Sequence, residues 1–163
     1  MTAVDIYTNR MLIQANHLNH HEYCHNILLK AFVCNNATIS KAQSIGDPTE
    51  IALLELYQDY IIKTHIDCRL NVNRNCRLIP RKLMSVTSKN HLYTKGAPDV
   101  LLKRCNRILI DGYKEIFTNK DKRVLWNKMM LWRARESVYR FAYKEFYRNT
   151  LEKRDENDLV LLV

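Results

Sequence analysis

Two helix starts that each carry a proline constrain the fold of this chain more than any other feature. The first is Gly46-Asp47-Pro48-Thr49-Glu50, in which Asp47 can cap the helix and Pro48 suits its first position. The second is Lys95-Gly96-Ala97-Pro98-Asp99, about fifty residues later. Because the residues between them include a half-apolar stretch typical of a strand, the chain must pack helices against a sheet.

Apolar periodicity and turn residues predict the remaining elements. Four helices are predicted, at residues 22–34, 47–62, 98–105 and 120–135. Strands are predicted at residues 4–8, 77–79, 83–88, 91–95, 107–110, 113–117, 138–146 and 158–163. Turns are expected at Asn9-Arg10, Ser88-Lys89-Asn90 and Asp111-Gly112, and a loop at residues 35–44. Hairpins interleaved with helices predict an α+β fold with a twisted, mainly antiparallel sheet flanked by helices.

Composition narrows the functional classes. The chain has 163 residues, 47% of them hydrophobic, which is enough for one domain with a sizeable core. Its formal net charge of +9 favours anionic partners such as nucleotides, nucleic acid or acidic membrane surfaces. Five cysteines without a Cys-x-x-Cys pair favour a reducing compartment. No apolar run is long enough to span a bilayer, so no direct membrane insertion is expected.

Several segments, in this order along the chain, resemble the nucleotide-binding domain of P-type cation-transporting ATPases, in the calcium- and sodium-pump-like branch. The resemblance is carried by the two helix starts and by Arg81-Lys82-Leu83-Met84-Ser85-Val86 between them. Weaker matches lie at residues 1–4, 32–37, 137–143 and 158–160, so that the resemblance covers nearly the whole chain. Each segment alone is a weak signal, and their order and spacing give the match its weight.

The resemblance implies a set of ATP-binding residues. In the family, an acidic residue of the first motif lies near the adenine amino group, and a lysine and a methionine of the second line the cleft. The lysine of the third motif lies at the floor of the pocket near the phosphates. Carried over position by position, the residues are Thr49, Glu50, Lys82, Met84, Lys95, Gly96 and Ala97.

The function implied is to hold ATP (Mg-ATP in the intact pump) for transfer of its γ-phosphate to an aspartate. That aspartate lies in an Asp-Lys-Thr-Gly-Thr motif of a separate phosphorylation domain, which this chain lacks. The chain would then be a single nucleotide-binding domain, residues 1–163, excised from a larger membrane pump and cytoplasmic. It would carry no catalytic residue and no metal ligand, and its partners would be ATP and the phosphorylation and actuator domains of the same pump.

Two departures from the family pattern concern the ligand. Relatives carry a phenylalanine that stacks on adenine shortly before the Arg-Lys motif, whereas here Ile79-Pro80 runs directly into Arg81. Losing such a stack costs about 1–3 kcal/mol unless another ring, such as Tyr57 or Tyr93, covers the base. In addition, Ser137 stands where the family has an arginine, with Arg135 and Arg140 as neighbouring arginines.

Other readings of the chain compete with nucleotide binding. It could be a basic interaction module of the same fold that has lost nucleotide binding, with Trp126 and Trp132 interleaved among the basic side chains of residues 120–135. For that segment a solvated helix face with tryptophans near the core is favoured, so nucleic acid is not the expected partner. His21 and His25 lie one helical turn apart, a spacing that can hold zinc, but no further ligand is specified. The transported cation is not readable from this segment.

Overall fold

The computed structural model describes residues 5–65, 83–133, 140–148 and 150–162. It contains four helices: α1 (Tyr23–Ala31), α2 (Pro48–Thr64), α3 (Pro98–Arg104) and α4 (Asn119–Arg133). The strands are β1 (Asp5–Thr8), β2 (Met11–Gln14), β3 (Thr38–Ile39), β4 (Ser44–Ile45), β5 (Leu83–Ser88), β6 (His91–Gly96), β7 (Cys105–Ile110), β8 (Tyr113–Ile116), β9 (Arg140–Glu145) and β10 (Leu159–Leu161). Short 3₁₀ turns lie at Ala15–His17 and Lys153–Glu156.

A six-stranded sheet forms the centre of the fold, with strand order β5-β6-β9-β10-β7-β8. All neighbouring pairs in it are antiparallel except β7 with β10, which run parallel. Two small antiparallel hairpins, β1–β2 and β3–β4, lie outside this sheet. The predicted α+β fold with a mainly antiparallel sheet is therefore confirmed.

The central sheet buries both of its faces, because alternate side chains point to opposite sides of each strand. One face packs against α1 and α2, and the apolar side chains of β5, β6 and β9 on this side are Met84, Val86, Tyr93, Phe141 and Tyr143. The opposite face packs against α3 and α4 through side chains such as Leu92, Leu101, Leu125 and Ala142. We call these the α1/α2 face and the α3/α4 face.

Of the four strands in the two small hairpins, the sequence predicts only β1. Residues 35–44 were expected to form a loop, but Thr38–Ile39 pairs with Ser44–Ile45. The strand β2, paired with β1, was missed because its side chains are mostly exposed and show no alternation. On α4, Val124 is half exposed, whereas Leu125 and Met129 are buried. The predicted strand at residues 77–79 lies outside the described part of the chain.

The start of α4 is fixed by a reciprocal cap between Thr118 and Asp121. The Thr118 hydroxyl accepts from the Asp121 backbone N–H at 3.2 Å, and the Asp121 carboxylate accepts from the Thr118 backbone N–H at 3.0 Å. The same carboxylate also accepts from the Thr118 hydroxyl at 2.6 Å. These hydrogen bonds to its charged form lower the pKa of Asp121 below its usual value of 3.8.

Asp121→Asn is therefore expected to lower the free energy of unfolding by about 1 kcal/mol or less at pH 7. Since the folded pKa lies below the unfolded one, the carboxylate stabilises the fold above the unfolded pKa. That contribution is lost as the pH falls through the folded pKa. Urea unfolding of both proteins should show a difference at pH 7 that shrinks as the pH falls below 3.8 and disappears once the folded carboxyl group is protonated. A difference that persists there would show that the cap does not act through its charge.

Candidate functional site

The first turn of α2 places Glu50 against the sheet. The Asp47 carboxylate accepts from the Thr49 backbone N–H at 2.9 Å, and Pro48 occupies the first helical position, as the sequence predicts. Glu50 comes three residues after the cap, so its side chain turns inward, and only 7% of the residue is exposed. Its carboxylate binds Lys95 of the sheet.

Three side chains form a row across β5, β6 and β9 beneath that turn. Met84 is the register partner of Lys95, and Lys95 is the register partner of Phe141. All three are buried, and Met84 and Phe141 belong to the α1/α2 face. The row gives the site an apolar floor with one cation in its middle.

Glu50 and Lys95 form a buried ion pair. The Lys95 ammonium donates to the Glu50 carboxylate, and the two side chains are 5% and 10% exposed, lysine first. Removing two charges from water costs several kcal/mol per ion, and a close pair offsets this only with good geometry. Burying this ion pair therefore costs desolvation free energy that apolar side chains in the same space would not. The pair places one donor and one acceptor within an apolar wall.

The loop after α1 forms hydrogen bonds to both elements of the site, α2 and β5. The Asn35 side-chain amide donates to the Glu50 backbone carbonyl at 2.7 Å, and its oxygen accepts from the Ala37 backbone N–H at 2.7 Å. The Cys34 thiol donates to the Met84 backbone carbonyl at 3.2 Å. Just before α2, Gly46 has a φ of 143°, and a Cβ there would lie 2.8 Å from the Cβ of Ala37. Only glycine fits this approach.

The structure brings some of the sequence-predicted residues together and leaves others apart. Glu50, Met84 and Lys95 lie side by side on the α1/α2 face. Thr49 is partly exposed at the start of α2, and Gly96 and Ala97 lead out of β6 into α3. Lys82 lies outside the described residues, as do Arg135 and Ser137. Asn35 lies within the segment 32–37 that resembles the family, and its buried polar side chain in the structure identifies it as part of the site.

Tyr57 and Tyr93, the two rings proposed to stack on a base, differ in their exposure. Tyr93 is 3% exposed, belongs to the core of the α1/α2 face and stacks on His91 with ring centroids 5.9 Å apart. Burial raises the pKa of its hydroxyl above the usual range. Tyr57 is partly exposed and lies two helical turns after Glu50 on α2. Of the pair, Tyr57 has the ring that an added molecule can reach.

Arg140 does not lie with the site. Its register partner on β6 is Gly96, so its side chain belongs to the α3/α4 face, opposite to Lys95. There its Nε contacts the Met129 sulfur at 3.3 Å, and its Nη2 has no hydrogen-bond partner within the described part of the structure. The neighbouring arginine considered for the position of Ser137 therefore points away from Glu50 and Lys95.

Described residues of the histidine segment and of the basic helix α4 make contacts within the fold. His25 is buried, and its Nδ1 accepts from the Asn19 backbone N–H at 3.2 Å. Within residues 5–65, 83–133, 140–148 and 150–162, no group of three potential metal ligands occurs. On α4, Trp126 packs against the core, while the Lys128 ammonium lies 5.1 Å from the centre of the Tyr7 ring. None of the described helices is long and apolar enough to cross a membrane.

Comparison with known proteins identifies the family of this chain. Residues 23–162 match the family described as P-type ATPase, cytoplasmic domain N. A calcium-transporting ATPase 1 of Lactococcus lactis is 37% identical over 149 residues, which is 83% of this chain and 17% of that protein. A calcium-transporting ATPase 1 of Bacillus cereus is 34% identical over 161 residues, which is 90% of this chain and 17% of that protein.

A shorter match is to a probable cation-transporting P-type ATPase of Mycoplasma genitalium, 43% identical over 83 residues, or 47% of this chain and 9% of that protein. The chain thus spans about a sixth of the length of the first two curated relatives. The resemblance read from the motifs is confirmed, and it rests on most of the chain rather than on one segment. This chain belongs to the family of cytoplasmic N domains of P-type ATPases.

Proposed function

We propose that this chain is a nucleotide-binding domain that holds ATP and positions it for phosphoryl transfer to an aspartate in a separate domain of a cation-transporting P-type ATPase. One observation carries the proposal: Glu50 and Lys95 meet in a buried pair within an apolar wall. Apolar walls with a few precisely placed polar groups are what nucleotide pockets require.

The residues have separate roles in this proposal. Glu50 accepts from the amino group of adenine, and Met84 supplies apolar contact with the base. Lys95 donates to the Glu50 carboxylate and lends positive charge to the floor of the pocket. Thr49, Gly96 and Ala97 border the site, and Lys82 completes the set from the segment before β5.

Phosphoryl transfer depends mainly on positioning and electrostatic stabilisation. This domain contributes the positioning of the base and of the phosphates that follow it. The phosphorylated aspartate and the magnesium ligands belong to the phosphorylation domain, which together with the actuator domain is the partner within the pump. The isolated chain is therefore expected to bind ATP without hydrolysing it.

A second candidate is that the chain keeps the family fold without its ligand. The observation that favours it is the sequence Ile79-Pro80-Arg81-Lys82, which lacks the family's stacking phenylalanine, together with Ser137 in the place of an arginine. The net charge of +9 would then serve an acidic partner such as nucleic acid.

Titration calorimetry with ATP and GTP at moderate salt separates the two candidates. Saturable ATP binding that is lost in Lys95→Ala and weakened in Glu50→Gln supports the nucleotide-binding domain. The matched control is Glu55→Gln, the same change on the exposed side of α2, which should bind like the unmodified chain. Circular dichroism checks that each variant is folded. No ATP binding up to millimolar concentration, with tight and salt-sensitive binding of RNA or DNA instead, would establish the second candidate.

A further inference from the structure

The dipeptide Cys34-Asn35, in the loop that follows α1, connects the two elements on which the site depends. The Asn35 amide binds the backbone carbonyl of Glu50 in α2, and the Cys34 thiol binds the backbone carbonyl of Met84 in β5. Both residues are buried, Cys34 at 0% and Asn35 at 3% exposure. Two consecutive residues therefore set the distance between the first turn of α2 and the edge of the sheet.

The side-chain amide of Asn35 fits this role, whereas the carboxylate of an aspartate would not. Its nitrogen donates to the Glu50 carbonyl while its oxygen accepts from the Ala37 N–H, each at 2.7 Å. An amide provides both a donor and an acceptor, whereas an ionised aspartate provides only acceptors. Asn35→Asp would therefore place a carboxylate oxygen against the carbonyl of Glu50 inside the protein, where neither can be solvated.

The hydrogen bond from the Asn35 amide holds Glu50 at its backbone carbonyl, in the residue whose side chain extends to Lys95. The Glu50 carbonyl is held by Asn35, and the carboxylate of the same residue meets Lys95 on the strand beside Met84. We propose that Asn35 is a positioning residue for base recognition: it orients Glu50 so that the site selects a purine with an exocyclic amino group. This inference rests on the proposed function, since it assumes that Glu50 reads the base.

The test compares ATP with ITP, in which a carbonyl oxygen replaces the adenine amino group. For the unmodified chain, calorimetry is expected to show ATP binding about tenfold to a hundredfold tighter than ITP, the factor for a hydrogen bond to a charged group. In Asn35→Asp that preference is expected to fall to about threefold or less while the Kd for ITP changes by less than about twofold. The matched control is Asn36→Asp, the same change at the exposed neighbouring residue, which should keep the full preference.

Each outcome of this experiment supports or overturns the inference about Asn35. Equal weakening of ATP and ITP in Asn35→Asp, or an unchanged preference, overturns the inference and leaves the proposed function intact. If the unmodified chain binds neither nucleotide, the proposed function itself fails and the inference with it. If Asn35→Asp does not fold by circular dichroism, Asn35→Ala carries the test, because it removes the hydrogen bond to the Glu50 carbonyl without adding a charge. It should lower the ATP preference in the same direction, and an unaltered preference there overturns the inference.

Discussion

Replacing Lys95 with methionine is expected to lower the free energy of unfolding by about 3–5 kcal/mol, the range measured when one partner of a buried ion pair is removed. Methionine fills much of the space of the lysine stem beside Met84 and Phe141, so the loss comes from the charge rather than from a cavity. The Glu50 carboxylate stays buried without the ammonium that compensates it. Urea unfolding at pH 7, followed by circular dichroism, measures the change.

The double variant Glu50→Gln/Lys95→Met isolates the pair. With both charges removed, most of the lost stability should return, because replacing a buried pair as a whole is often close to neutral. Strong coupling between the two substitutions is therefore expected in a double-mutant cycle. If Lys95→Met costs less than about 1 kcal/mol and the two effects simply add, the two side chains do not form the pair described here.

Replacing Arg140 with methionine is expected to act in the opposite direction and to stabilise the protein by about 1–3 kcal/mol. Arg140 is 2% exposed, its Nε donates only to the weak sulfur acceptor of Met129, and its Nη2 lacks a partner in the described residues. Burial lowers the pKa of Arg140 to about 10, so the group still carries its charge at pH 7 without a described counter-ion. Scanning calorimetry should show a Tm higher by roughly 2–4 °C for each kcal/mol gained.

Arg107→Met is the matched control for Arg140, because Arg107 lies in the same sheet, on β7, with its side chain exposed. Substitutions at exposed positions usually change stability by less than about 0.5 kcal/mol. A Tm that falls in Arg140→Met, while Arg107→Met has no effect, would show that the guanidinium stabilises the α3/α4 face.

The elements with strong local signals could be predicted from the sequence. The Asp47-Pro48 cap, the Asp111-Gly112 turn and the strand pair 83–88 with 91–95 follow from propensities that act over a few residues. The parallel pairing of β7 with β10 could not be predicted, because it joins segments about fifty residues apart and depends on packing of the whole sheet. The small β3–β4 hairpin was missed for another reason, since two-residue strands have no periodicity to detect.

The candidate site was predictable as a set of motifs, but its internal contacts were not. Position by position, the resemblance selected Glu50 and Lys95, yet nothing in their spacing indicated that they bind each other. The same sequence stretch that suggested Arg140 as a neighbouring cation also fixes its alternation on β9, which sends it to the other face. Asn35 escaped notice because an asparagine after a helix is an ordinary end signal, and only its burial reveals a second task.

Strand β10 has a consequence for the order in which the domain can fold. It lies between β9 and β7 in the sheet, yet it follows all the other strands in sequence. On a ribosome, the half-sheet β5-β6-β9, which carries Met84 and Lys95, can pair before β10 emerges, whereas its connection to β7-β8 cannot. Until then the inner edges of β9 and β7 expose unpaired backbone groups, the kind of surface that promotes association between nascent chains. Pairing of the three residues of β10 is therefore the last step that closes this sheet, and until it occurs the domain is most exposed to association with other chains.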